Sequence, residues 1–190
     1  QKITSVVAPE LKIAENSTIF GILNPDLQTL TFKIKIPEIQ FGTTSVKELS
    51  IDGQTKDSLL IASISTPAIK FGETLIRNFK INTEVKNNIL DFSLGWKNQE
   101  KPATYGLIEA VADFNESGKN GHIAQFHFKP SSFVLNDSTW QLSASNIVFD
   151  TSSIVIDNFL ISSLNQQLSI KGNISEKEQD TLSVNIKNLN

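Results

Sequence analysis

Cysteine is absent from all 190 residues, which removes disulfide scaffolds, thiolate metal sites and cysteine nucleophiles together. The lack suits an oxidising compartment, where a stray thiol is a liability, although a cytosolic chain can also lack cysteine by chance. Histidine is nearly absent too, with only His122 and His127. Five apart on a strand, they point to opposite faces and cannot chelate one metal together. A surface histidine and a half-buried one is the plainer reading. Charge of one sign is missing as well. The net charge is −3 and the basic residues are scattered singly. That leaves no field for nucleic acid and no polybasic membrane patch. No signal peptide and no apolar run of membrane-spanning length are present.

The motifs of catalysis are missing in the same way. Gly118-Lys119-Asn120-Gly121 lacks the glycine spacing and the Ser/Thr of a phosphate loop, and reads as a hairpin turn. Asp52 and Asp57 bracket Gly53-Gln54-Thr55-Lys56, which resembles a hairpin loop without the ligand pattern of a calcium loop. No Gly-x-Ser-x-Gly elbow occurs, and the carboxylates are too dispersed to pair as a glycosidase acid and base. The matches to the glycosylation pattern at Asn16, Asn115, Asn136 and Asn173 arise readily in a chain so rich in Asn and Ser. The expectation is a protein that is not an enzyme and uses no cofactor and no metal.

What is present is alternation. Leu30, Phe32, Ile34 and Ile36 are separated by Thr31, Lys33 and Lys35, the period of a strand with one dry face and one wet face. The same period recurs in Trp140, Leu142 and Ala144, in Leu168 and Ile170, and in Leu182, Val184 and Ile186. Between such runs stand Asn, Asp, Ser and Gly, the chemistry of turns. Asn24-Pro25-Asp26 closes a strand over Thr18–Leu23. Pro37 cannot donate to a ladder, so it predicts a bulge, a bend or the start of a strand. A helix competes only over Leu107–Ala112, where neighbouring strands favour a strand over Tyr105–Phe114 that forms a hairpin with Ile123–Lys129. Hydrophobic residues at 39% and charged residues at 19% leave a large share for Ser, Thr, Asn and Gln, which suits an extensive wet face.

One repeat stands out. Pro37-Glu38-Ile39-Gln40-Phe41-Gly42 returns thirty positions later as Pro67-Ala68-Ile69-Lys70-Phe71-Gly72. The register carries on through Leu49 and Phe79 and through Ile51 and Ile81, with a further copy expected from Ile147 to Ile161. Self-similarity of this kind predicts stacked strand units. Residues 1–190 read as one continuous β-repeat segment, expected to be excised from a longer chain that carries the targeting segment.

These residues resemble a known family. Trp140-Gln141-Leu142-Ser143, Asn146-Ile147-Val148-Phe149-Asp150 and Ile154-Val155-Ile156-Asp157-Asn158-Phe159 are similar to the C-terminal half of TamB (AsmA-like) proteins. So are Gln167–Ser175 and Leu182-Ser183-Val184-Asn185-Ile186, while Pro37–Gly42 and the Trp96 strand are similar in style to that family's repeats. The resemblance implies an elongated, curled, antiparallel-rich β-sheet, a taco-like trough with an apolar interior. It implies a segment of a periplasmic bridge, anchored in the inner membrane by a segment not present here, that conducts phospholipid towards the outer membrane. An Omp85-type outer-membrane protein would be its partner in outer-membrane biogenesis. Free edge strands at the two ends of such a sheet would pair with the flanking repeats in the full protein and would allow dimerisation of the fragment.

The expected lining is Phe32, Ile34, Ile36, Phe41, Leu49, Ile51, Phe71, Phe79, Ile81, Trp140, Leu142, Phe149, Leu168, Ile170, Leu182, Val184 and Ile186. Two readings of these residues remain open. They line a trough for phospholipid or another acyl-chain ligand, or they fill the closed β-sandwich of a structural or adhesive surface module with no small-molecule ligand. Periodicity alone does not separate the two.

Overall fold

The computed structural model describes residues 10–98, 100–117 and 121–188. The expectations for the turn residues Gly118–Asn120 and for the His122 side chain lie outside that description. Every element is a strand: β1 (Leu11–Ile13), β2 (Thr18–Asn24), β3 (Thr29–Phe41), β4 (Thr44–Lys56), β5 (Leu59–Phe71), β6 (Thr74–Lys86), β7 (Ile89–Asn98) and β8 (Thr104–Ser117). There follow β9 (Gly121–Phe128), β10 (Ser131–Leu135), β11 (Ser138–Leu142), β12 (Ser145–Phe149), β13 (Ser153–Ser163), β14 (Gln166–Ser175) and β15 (Leu182–Lys187). The protein is all-β, and the fifteen strands of the described residues belong to one antiparallel sheet with meander connectivity. Leu107–Ala112, where a helix competed, lies inside β8.

The turns follow from left-handed residues. Asp57-Ser58, Asn87-Asn88 and Asn136-Asp137 each place both loop positions at positive φ, the pattern of a type I′ hairpin. Gly42 and Gly72, also at positive φ, open the two-residue loops after β3 and β5. Both kinds of turn match the right-handed twist of the strands they join.

The chain forms two compact units, Gln1–Glu84 with Leu94–Glu100, and Val85–Ser93 with Lys101–Asn190. In the first, β3, β4, β5 and β6 are each thirteen residues long. Ile34 pairs with Ile51 and Ile51 with Ile64, while Ile36 pairs with Leu49. At Pro37 the alternation changes phase, and the half-buried positions run Leu30, Phe32, Ile34, Ile36 and then Ile39. Opposite Pro37 stands Glu48, at a φ of 48°. One extra residue in each strand keeps the pairing in step while resetting which side chains face inwards. Thirty residues on, Pro67 repeats Pro37 and Asn78 repeats Glu48, again at a φ of 48°.

Two backbone carbonyls along this crease accept hydrogen bonds from side chains. The Thr66 hydroxyl donates to the Lys47 carbonyl at 2.5 Å, and Asn78 Nδ2 donates to the Lys97 carbonyl at 3.0 Å. Strands β1 and β2 lie on the same edge of β3 and are interrupted at this level, between Ala14 and Ser17. The thirty-residue repeat is therefore a repeat of backbone conformation as well as of sequence.

In the second unit several strands are longer than their segments suggest. The pairing of β8 continues from β9, where Ala110 faces Phe128, to β10, where Gly106 faces Phe133. An extra residue sits at Lys129–Ser132, and Pro130 explains the break because it offers no N–H to the ladder. The β11 and β12 segments run in one register along β10 and β9, and again along β13, with a gap at Ser143-Ala144. The out-of-order path β11-β13-β12-β9 is thus a plain meander of broken strands. The further repeat copy from Ile147 to Ile161 has no counterpart in the backbone. Asn158 is not among the left-handed positions, and a register shift between Ile156 and Phe159 stands in its place.

Candidate functional site: an apolar sheet face

Cross-strand partners share a face, so the pairing register places every expected lining residue whose pairs are known. In the first unit Phe32 faces Gly53, Ile34 faces Ile51 and Ile36 faces Leu49. Phe41 faces Thr44, which faces Phe71, at the hairpin ends where both rings are more than half exposed. Phe79 and Ile81 alternate as half-buried positions of β6. In the second unit Leu142 faces Ile161, Ile161 faces Leu168 and Leu168 faces Ile186. Ile170 faces Val184, Gly172 faces Leu182, Phe149 faces Ile154 and Trp140 faces Phe133. Within each unit the expected residues therefore gather on one side of the sheet.

A regular pattern among the aromatics went unrecognised in the sequence. Each of several Phe rings stands across from a small residue: Phe32 from Gly53, Phe126 from Ala112, Phe128 from Ala110 and Ser145, Phe133 from Gly106, and Phe114 and Phe149 from Ala124. At Gly53 an added Cβ would lie 2.2 Å from Phe32 Cζ, so the ring occupies the space above the glycine. Ala110 and Ala112 are buried, although alanine has little side chain to hide. Phe126 contacts Phe114 and Phe149 edge to face, and Phe128 contacts Phe159 in the same way. Phe114, Phe126 and Phe128 join the dry face without having been singled out. The alternation of Ala110, Ala112 and Phe114 against Ala124, Phe126 and Phe128 was the signal that could have found them.

This face is not sealed. Among the described residues only Trp96, Ala110, Ala112, Phe133 and Leu142 are buried apolar side chains, and no large side chain is completely buried. Phe149, Leu182, Val184 and Ile186 are exposed, and the remaining lining positions are mostly half-buried. At one end of the second unit lies an open cavity of about 520 Å³. Its apolar part is Phe114, Ile123, Ala124 and Phe149, and its rim carries Asn88, Asn115, Asp150 and Thr151.

The wet face carries the charge. Lys33 Nζ lies 2.9 Å from Asp52 Oδ1, and Ser50 Oγ donates to Asp52 Oδ2 at 2.7 Å. The hydrogen bond from Lys33, then that from Ser50, hold the Asp52 carboxyl below its ordinary range. Gly53-Gln54-Thr55-Lys56, expected as a hairpin loop, is in fact strand, and the turn is confined to Asp57-Ser58. The glycine that suggested a loop is there to receive the Phe32 ring. His127 is exposed, with Nδ1 2.8 Å from Asn146 Oδ1 and Nε2 3.6 Å from Asp113 Oδ2. Among the described residues no group of three or more His, Asp or Glu is placed to hold a metal ion. The class that fold and site define is a single-sheet β meander with an uncovered apolar face. No family model matches the chain, and neither a curated protein nor a solved structure is significantly similar to it.

Proposed function

We propose that the apolar face binds acyl chains, and that the protein is a non-enzymatic segment of a TamB-like periplasmic bridge carrying phospholipid between the inner and outer membranes. The observation that carries this reading is the pairing of two facts: apolar side chains gather on one face in each unit, yet few of them are buried. A closed sandwich module would hide those side chains against a facing layer, whereas here few of them are buried among the described residues. An uncovered apolar surface is costly in water and calls for an occupant. A fatty tail meets the need because it is apolar along its whole length, while its headgroup can remain in solvent. The cavity at Phe114 and Phe149, with its apolar wall and polar rim, suits such an amphipathic ligand.

Transport on such a surface has no reaction step. Apolar contacts have no direction, so one position along the face is worth nearly as much as the next, and a tail slides without crossing a deep minimum. Selectivity among chain lengths is weak, because each methylene contributes only about 0.8 kcal/mol. The remaining parts of the reading, the periplasmic location and an Omp85-type partner at the outer membrane, rest on the family resemblance. Native mass spectrometry of protein gently isolated from a bacterial host tests the binding claim. Phospholipid adducts at defined stoichiometry are expected, and lipid-free protein recovered together with an excess of host phospholipid would contradict it.

A further inference from the structure

The outer edge of β2 does not fit a surface whose only dry side is the lining. Its sequence is Thr18-Ile19-Phe20-Gly21-Ile22-Leu23-Asn24, and among the described residues it pairs only with β3. Ile19 and Leu23 stand beside Ile34 and Leu30 on the dry face, but Phe20 and Ile22 stand beside Lys33 and Thr31 on the wet one. All four are far from covered, at 81% exposure for Ile19, 56% for Phe20, 57% for Ile22 and 68% for Leu23. The strand carries no lysine, no proline and no inward-pointing charge, the devices by which proteins protect free edges. The other terminal strand, β15, differs, because its wet face carries Ser183, Asn185 and Lys187.

The pattern of β2 is self-complementary about its centre. Run antiparallel against itself with Gly21 facing Gly21, it sets Thr18 against Asn24, Ile19 against Leu23 and Phe20 against Ile22. Each apolar side chain then meets an apolar one on both faces, and the polar residues close the ends. A two-fold axis through Gly21 makes both copies contribute the same patch, as a closed dimer requires. We infer that β2 is an interaction strand whose partner is the β2 of a second copy of this chain, joining two sheets edge to edge. This interface is separate from the acyl-chain reading and stands without it.

The register supplies the test. The chain has no cysteine, so a single one introduced at a chosen position reports on that position alone. Gly21→Cys places two thiols across the axis, within the reach of a disulfide. A Cβ at position 21 meets its nearest atoms at 3.7 and 3.9 Å, ordinary contact distances, so the variant is expected to fold. Leu23→Cys, which faces Ile19 of the second copy, is the control. Under mild oxidation Gly21→Cys is expected to form a covalent dimer at least tenfold faster than Leu23→Cys. Phe20→Lys and Ile22→Lys, both on the wet face, are each expected to shift the protein from dimer to monomer in sedimentation equilibrium without changing its far-ultraviolet circular dichroism. Unmodified protein that sediments as a monomer at 100 µM overturns the inference, as does cross-linking at equal rates from positions 21 and 23.

Discussion

Phe32 and Gly53 face each other across β3 and β4, with the Phe32 ring lying where a β-carbon at position 53 would be. The row continues to Gly21 on one side and Ala62 on the other, so the ring is flanked by residues with little or no side chain. The row brings a large apolar surface close to the backbone and takes little height above the sheet. Gly53→Ala should force the ring aside and cost about 1–3 kcal/mol, the usual range for overpacking. Urea unfolding of Gly53→Ala, Phe32→Leu and the double variant checks this. The double variant should lose less than the sum of the single ones, because the smaller side chain removes the clash.

The crease makes a second prediction. Glu48 holds a left-handed conformation with no glycine to ease it, a strain of about 1–2 kcal/mol for an ordinary residue. Glu48→Gly should relieve part of that strain and raise the urea midpoint. Asn78→Ala, at the equivalent position of the repeat, should lower it, because the bond from Asn78 Nδ2 to the Lys97 carbonyl is lost. Equal responses at the two sites would show that the crease is not built as described.

Ser145 is buried beside Phe128, and among the described residues its hydroxyl has no hydrogen-bond partner. An unsatisfied buried hydroxyl costs about 1–3 kcal/mol. Ser145→Ala should therefore melt at a higher temperature than the parent protein, as read by differential scanning calorimetry. A lower melting temperature would mean that the hydroxyl is satisfied in solution.

Asp52 gives the pH prediction. Its carboxyl is held below the ordinary range in the folded protein by Lys33 and then Ser50, so the unfolded chain binds the proton more readily. The contribution to stability is present above the unfolded carboxylate range and is lost as pH falls through the folded value. The difference in urea midpoint between parent and Asp52→Asn should shrink between neutral pH and strongly acidic pH. The ion pair is exposed, so the difference is small throughout.

The strand faces were legible because alternation is a local property: Leu30 to Ile36 can be assigned with no knowledge of the neighbours. The thirty-residue repeat was legible for a similar reason, since Pro37 and Pro67, and Gly42 and Gly72, impose the same backbone restrictions wherever they recur. Gly53 was misread because its role depends on Phe32, twenty-one residues away, and a glycine that receives a ring looks the same in sequence as one that turns a chain. The broken strands β9–β10 and β11–β12 were hidden too. A one-residue bulge resets the period, and the two halves then look like separate elements. What covers the apolar face is a property of its surroundings, which alternation cannot encode.

The most direct test of the central claim is photocrosslinking to a phospholipid from alternate positions along single strands. A photoreactive side chain at Ile34, Ile51 or Leu168 is expected to capture the acyl chain, whereas the same side chain at Lys35, Asp52 or Ser169 captures none above background. Crosslinking that ignores this alternation, or is absent from the dry positions, would contradict an acyl-binding face.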